Sequence, residues 1–543
     1  MDDTVQKMIV ERYRRAKERR SAWEPHWQEC FEYTLPHRES AISVSMPGGK
    51  RSDKLFDGTA PHAVEQLAAS LLSQMTPPWA QWFGLSMGPE VNDEERQELG
   101  GALEASATAL QSQFDRSNFA VEMHQCYLDL VTAGTACLSF EEAPMGESSA
   151  FRFTAVPLGE VAFEESVDGR LDTTFRRSEL SLAQFRSRFP DVKLSDQLIS
   201  RAAEDPGFRI DIIEAVIPEK TKFKYTAITE TELNANSGPT ILQEGKFTNS
   251  PFINFRWLKT PGEVYGRSPV MKALPDIKTA NKVVELILKN ASIAVTGIWQ
   301  AGDDGVLNPA SIKLTPGTII PKAVGSAGLT PLDSPGRFDI SELVLKDQRD
   351  NIRRALMADK LGQPDAPKMT ATEVLERSPE MARLLGATYG RLQSELLTPL
   401  VVRAMAILSR RGVIPDLHVD GRVVDLDYKS PLARQQAQKD AQNILRWLEA
   451  VQSVGPEGIA AVNKAEVVKY LAKAFSVPDE FIVEDRGPAL SGVPSELPVD
   501  LPPGSSAGGD QLEGLMEAAN EVFGGLTGTP LDNIVPASNS VQS

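Results

Sequence analysis

The sequence predicts an α+β protein in which helical segments bracket a strand-rich stretch and a pair of helices carries a small inserted β element. Three observations lead there. Apolar residues recur at helical spacing in the first 133 residues and again after residue 269. Between Thr135 and Leu258, short runs rich in β-branched and aromatic residues are punctuated by Gly, Pro, Asp and Asn, which is strand patterning. From Pro269 a helix carries Val270, Leu274, Ile277, Val284, Leu288 and Ala291 on one face, widened by Ala280, Val283 and Ile287. An apolar arc that wide suits a helix wedged between two or more others. At 543 residues the chain has room for about three to four domain-sized units, and 41% apolar with 24% charged residues excludes wholesale disorder.

Charge and chemistry narrow the function classes. There are 57 basic and 74 acidic residues, a net charge of −17, which disfavours a broad DNA-gripping surface because phosphate binding needs clustered Lys and Arg. The three cysteines, Cys30, Cys126 and Cys137, form neither a disulfide framework nor a CxxC metal knuckle. The opening Met-Asp-Asp-Thr-Val-Gln-Lys lacks a secretory signal's apolar core. No run reaches the roughly 18 apolar residues of a membrane span. A soluble, intracellularly made chain is expected. The five histidines are scattered, and no HExxH, G-x-S-x-G, G-x-G-x-x-G or kinase set occurs, so catalysis, cofactors and metals are not expected.

In order along the chain, residues 4–34 read as one helix. Its middle, Glu11 to Arg20, holds six basic residues in ten: a solvated face, or an arm that meets an acidic partner or nucleic acid. Trp23, Trp27, Phe31 and Leu35 form an apolar stripe that docks on something. Gly48-Gly49-Lys50-Arg51-Ser52 lacks the spacing of a phosphate loop and reads as a surface loop. A helix over Thr59 to Met75 ends at Thr76-Pro77-Pro78. Trp79, Trp82 and Phe83 then anchor in this protein's core or in a neighbour. Helices at 92–116 and 119–133 follow.

Strands are predicted at Ala136–Phe140, Phe151–Val156, Val161–Glu165, Leu171–Arg176, Ile210–Ile217 and Phe223–Thr229, with a helix near 181–203. Beyond the helix at 269–291, Ile293–Trp299 and Ile312–Pro321 read as strands. Asp303-Asp304-Gly305 reads as a turn rather than a calcium loop. A helix at 339–358 carries the i,i+4 pairs Glu342→Lys346 and Asp350→Arg354. Thr370-Ala-Thr-Glu373 is a capping box opening a long helix to about Arg411, kinked by Pro379 and Pro399, with Gly386 and Gly390 open to close approach. Ser430-Pro431 caps a helix to about Val454, and another spans 463–475. The last 59 residues hold eight acidic and one basic residue and are expected to be largely disordered.

The run Ala69-Ser-Leu-Leu-Ser-Gln-Met-Thr-Pro-Pro-Trp-Ala-Gln-Trp-Phe83 resembles the signature of the head-to-tail connecting (portal) proteins of short-tailed bacteriophages. So do Tyr265-Gly-Arg-Ser-Pro269 and Met369-Thr-Ala-Thr-Glu-Val374, and the likeness spans about 5–480. It implies a portal-type fold: a wing over 1–265, stem helices at 266–291 and 339–358, and a clip at 292–338. A tunnel loop at 359–370, a kinked wing/tunnel helix with a short β segment at 371–429, crown helices at 430–484 and an acidic tail at 485–543 complete it. It also implies a homo-oligomeric ring, usually of twelve, at one capsid vertex of the virion, assembled in the host bacterial cytoplasm. Double-stranded DNA would pass through without sequence specificity. Partners would be terminase, scaffold and major capsid protein, and tail adaptor proteins, with no membrane. In such a ring Val270, Leu274, Ile277, Val284 and Leu288 would form the stem's subunit interface. Lys278, Lys282, Lys289, Lys360 and Lys368 are candidate channel contacts, each with an exposed salt bridge as the plainer alternative. Gly362, Pro364 and Pro367 would shape the tunnel loop. Another phage structural protein, such as a tail adaptor, and a nucleic-acid enzyme with a dispersed site stay open as alternatives.

Overall fold

In the computed structural model the structure describes residues 2–38, 53–87 except 79, 93–230 except 193 and 206, and 240–301 except 297–298. It further describes 329–331, 338–358, 386–415 except 387, 424–427, 441–451 except 449 and 467–472 except 469. The expectations for Gly48 to Ser52, Trp79, Asp303 to Gly305, Ile312 to Pro321, the tunnel loop, the Thr370 capping box, Pro379 and the acidic tail lie outside these residues.

The helix expected over 4–34 is two helices, α1 (Asp2–Ser21) and α2 (Glu24–Thr34). Pro25 is the reason: it sits in the first turn of α2, where its missing N–H costs nothing, whereas inside a continuous helix it would clash with the preceding turn. The basic run of α1 is largely consumed within the chain. Arg12 pairs with Glu164 at 2.5 Å, Arg14 with Glu230 at 2.7 Å, and Arg15 with Glu11. Buried Arg20 donates to the carbonyls of Gly159 and Val161 at 2.7 and 2.8 Å. On its other face, Ile9, Tyr13 and Ala16 pack against Ala162, Phe175 and Ile213. The stripe on α2 docks as its spacing requires, with Trp27 and Phe31 buried in the main core.

Three further helices follow: α3 (Thr59–Met75), α4 (Asp93–Asp115) and α5 (Phe119–Ala133). Trp82 and Phe83 anchor in the protein's own core, where Trp82 stacks on Phe119 at 6.2 Å and meets Phe114 edge-on at 5.7 Å. Strand β1 (Gly84–Met87) continues from them and pairs far ahead in the chain, with 424–427.

The strand-rich stretch forms two antiparallel sheets. In the first, β2 (Thr135–Glu142) lies between β3 (Phe151–Val156) and β9 (Phe252–Arg256). The second is a five-stranded meander of β4 (Val161–Glu164), β5 (Thr173–Leu180), β6 (Ile210–Glu219), β7 (Lys222–Thr229) and β8 (Thr240–Phe247). The helix expected near 181–203 is two short ones, α6 (Leu182–Arg188) and α7 (Asp196–Glu204), each N-capped by a serine, Ser181 and Ser195. Pro190 disfavours a helical Phe189, which takes ψ 69° and ends α6. Strands β8 and β9 carry no expectation above. All five residues of β9 are buried, so it shows no alternation, and an unalternating five-residue run has no distinctive period.

Helix α8 (Pro269–Thr296) runs past its expected end, so residues 293–296 are helical where a strand was expected. Thr279, one turn after the internal Pro275, returns its hydroxyl to the Pro275 carbonyl at 2.8 Å. Beyond α8, β10 (Trp299–Ala301) pairs antiparallel with β11 (Leu329–Pro331), and the chain returns as α9 (Phe338–Ala355), packed along α8. Asp350 pairs with Arg353 at 3.3 Å. The kink expected at Pro399 is a π-helical turn, Gln393–Leu397, leading into α10 (Thr398–Arg410). The Thr398 N–H reaches the Gln393 carbonyl five residues back, a widened turn just where Pro399 cannot donate. Among the described residues, helix 388–410 is long and apolar enough to cross a membrane. However, Leu392, Leu396, Leu400, Val401 and Leu408 lie in the core and Arg403 is buried midway, so it is a core helix. Among the described residues, nothing lies within 4 Å of a Cβ added at Gly386 or Gly390, so both positions stay open to the approach of another element. Strand β12 (Val424–Asp427) closes on β1, and the described residues within 441–451 and 467–472 are helical.

Candidate assembly site on the helical hairpin

The hairpin of α8 and α9 is anchored by the segment Tyr265 to Pro269, and each residue there has a physical task. Tyr265 is buried among Trp23, Trp27 and Phe163, edge-on to Trp27 at 5.0 Å. Gly266 meets Gly134 backbone to backbone: a Cβ on Gly266 would lie 2.2 Å from the Gly134 carbonyl oxygen. Arg267 stacks over Trp23 at 4.5 Å and pairs with Glu263. The Ser268 hydroxyl donates to the Thr132 carbonyl at 2.8 Å and accepts from the Met271 N–H at 2.9 Å, so it caps α8. Pro269 is the first helical residue, the position where proline costs no hydrogen bond.

The root of α8 is inside the protein. Val270, Leu274 and Ile277 are 0%, 4% and 3% exposed, and Met271, Ala273 and Ala280 are buried beside them. The interface expected at Val270, Leu274 and Ile277 is therefore corrected. These side chains are consumed by the subunit's own core, packed with α2 and α5, and have no area left to offer a neighbour. The wide arc reflects several partners, but here they belong to the same chain. Farther along α8 the picture reverses. Val284 is partly buried, while Leu286 and Leu288 are 48% and 54% exposed, and Leu343 and Val344 on α9 are exposed too.

Where root gives way to projection, polar side chains join both helices to the strap 53–58. Asn281 on α8 is buried; its Oδ1 accepts the N–H of Phe56 at 2.6 Å and of Asp57 at 3.1 Å. Its Nδ2 donates to the Lys54 carbonyl at 2.8 Å. Arg349 on α9 donates to Asp57 Oδ2 at 2.7 Å, and Asp57 Oδ1 accepts the Thr59 N–H at 2.9 Å. Burial pushes the Asp57 carboxyl up, but the hydrogen bonds from Thr59 and Arg349 outweigh it and hold it below the usual range. Sequence reasoning passed over all three residues. Asn281 was findable: it lies four residues after Ile277 on the apolar face, and a polar residue there demands a buried partner.

A second polar node fixes the body behind the hairpin. Fully buried Arg256, at the end of β9, donates to Glu395 Oε1 at 2.7 Å and Glu165 Oε1 at 3.1 Å, and to the Gly169 and Val264 carbonyls. Lys259 also pairs with Glu165. Glu395 belongs to the π turn, so the widened helix delivers a second carboxylate, beside Glu165, to the buried guanidinium.

The candidate channel lysines that the structure describes are ion-paired. Lys278 lies 2.7 Å from Glu29, and Lys282 and Lys289 flank Glu285 at 3.0 and 2.6 Å. Lys282 and Lys289 remain mostly exposed. Lys360, Lys368, Gly362, Pro364 and Pro367 lie outside the described residues.

The structure thus joins a mixed α/β body to a helical pair, α8 and α9, that carries the strand pair β10–β11 between its helices and exposes Leu286, Leu288, Leu343 and Val344. Residues 6–483 match the family of bacteriophage head to tail connecting proteins, and the chain belongs to that family, as a portal connector. It is 26% identical over 514 residues to the "Probable portal protein" of Bordetella phage BPP-1, covering 90% of this chain and 91% of that one. It is 24% identical to the portal protein of Salmonella phage epsilon15, covering 87% and 86%. Among solved structures it is similar to a chain from the neck of an empty gene transfer agent particle, with 14% identity, 75% and 90% coverage and a TM-score of 0.34.

Proposed function

We propose that copies of this chain close into a ring, of twelve subunits, at one vertex of the phage capsid, with the α8–α9 hairpins side by side around a channel for double-stranded DNA. The observation that carries this reading is the switch along the hairpin from a buried root to exposed Leu286, Leu288, Leu343 and Val344. Leu286 and Leu288, about 200° apart around α8, expose apolar surface on opposite sides of the helix, as contact with a neighbour on either side requires, and a cyclic ring repeats one heterologous contact until it closes. In this reading residues 1–265 form the wing, 266–291 and 339–358 the stem, and 292–338 the clip. Residues 359–370 form the tunnel loop, 371–429 its supporting helix and strand, and 430–484 the crown.

The ring is a conduit and a docking platform, without catalysis of its own. Terminase would drive DNA inward through it, scaffold and major capsid protein would surround it, and tail adaptors would later occupy the clip. An acidic subunit suits a channel that must not grip its cargo. Lys282 and Lys289, already neutralised in part by Glu285, would give only weak, salt-sensitive phosphate contact. Native mass spectrometry and electron microscopy of the purified protein test the reading. A closed ring near twelve with an open axis is expected, and a chain that stays monomeric under all assembly conditions overturns it.

A further inference from the structure

The hairpin has a joint. Its root, as far as Ala280, is buried in the body, and its far half exposes aliphatic side chains. Between the two lie the Asn281, Asp57 and Arg349 contacts, and about 1.7 turns before Asn281 Pro275 interrupts the backbone ladder of α8. A proline inside a helix removes a hydrogen bond and lowers the resistance to bending there. Pro275 lies within the root, between buried Leu274 and Ile277, so the angle at which the hairpin leaves the body is set beyond it. The polar contacts lie at the level where it leaves the body.

We propose that the strap 54–57 is a latch that sets the angle of the projecting hairpin, gripping α8 through Asn281 and α9 through Arg349, and that it opens as one unit. The chemistry favours all-or-none behaviour. Asn281 and Asp57 are 6% and 5% exposed, so losing either partner strands a buried polar group, and the remaining bonds cannot persist cheaply without it. Asp57 is the shared member: its N–H donates to Asn281 and its carboxylate accepts from Arg349. A subunit whose hairpin angle is latched could present its projecting surfaces at one setting during assembly and at another once partners load the ring.

Hydrogen exchange of the full-length protein tests this directly, because the Phe56 and Asp57 amides are the groups that Asn281 protects. Arg349 touches neither amide. In Arg349→Gln a single cooperative latch exchanges both about tenfold faster or more, while Arg349→Lys retains most of the protection. Unchanged exchange at Phe56 and Asp57 in Arg349→Gln overturns the proposal, since the contacts would then be independent. Exchange that rises equally in 135–142 and 252–256 overturns it too, because Arg349 would then support the whole fold rather than one joint. The amides report in monomer and ring alike, so failure of the ring reading leaves this test intact.

Discussion

Asp129 shows how burial and charge compete at a single residue. It lies on α5, fully buried, 2.7 Å from Arg38. Burial raises its carboxyl to about 6 despite the guanidinium. Because the folded value lies above the unfolded one, the folded state binds the proton more tightly. The resulting stability is fully present below about pH 4 and is lost as pH rises through about 6, a swing on the order of 3 kcal/mol. Asp129→Asn should flatten this slope. Thermal melts of both proteins from pH 4 to 7 check it, and parallel curves would refute it. Arg256 resolves the same competition differently, by recruiting Glu395 and Glu165. Neither pairing was legible in the sequence, because each joins residues more than 90 positions apart.

At the scale of elements, Gly134 and Gly266 join α5, β2 and the root of α8. Gly134 ends α5 at φ 78°, and a Cβ there would lie 2.4 Å from the Gly266 carbonyl oxygen. Gly134→Ala should therefore destabilise the protein by about 3 kcal/mol or more, from left-handed strain and a backbone clash together. Gly390→Ala meets nothing among the described residues and lies in a helix, where alanine is the better residue. It should be neutral or stabilising by about 0.5–1 kcal/mol. Denaturant unfolding of the two variants measures the contrast, and similar effects would show that the contact is not specific. Helix existence was legible from periodicity, but breaks were read less well. Pro25 and Pro190 split helices that the apolar pattern alone had run together, whereas the stop after Met75 was plain from Thr76-Pro77-Pro78.

For the whole molecule, the division of α8 into root and projection decides what a substitution does. Ile277→Asp places an unpaired carboxylate in the subunit's core, at a cost of several kcal/mol, and should abolish folding. Leu288→Asp falls on exposed surface and should leave the circular dichroism spectrum and melt of the subunit unchanged while preventing ring closure. Native mass spectrometry beside circular dichroism separates the two outcomes, and rings formed by Leu288→Asp would move the interface elsewhere. The sequence alone assigned both residues to one stripe, since both satisfy the same spacing.

By itself the sequence determined the family, through motifs that are contiguous in the chain, and the order of helical and strand-rich segments, through periodicities that each segment carries within itself. It also determined that α8 must be covered by more than one neighbour. The tertiary structure alone decided which neighbours: whether an apolar face is spent inside the subunit or left for a partner depends on what α2, α5 and the strap 53–58 bring against it. The same holds for Asn281, Arg349 and Arg256, since a buried polar group is defined by the distant atoms that satisfy it.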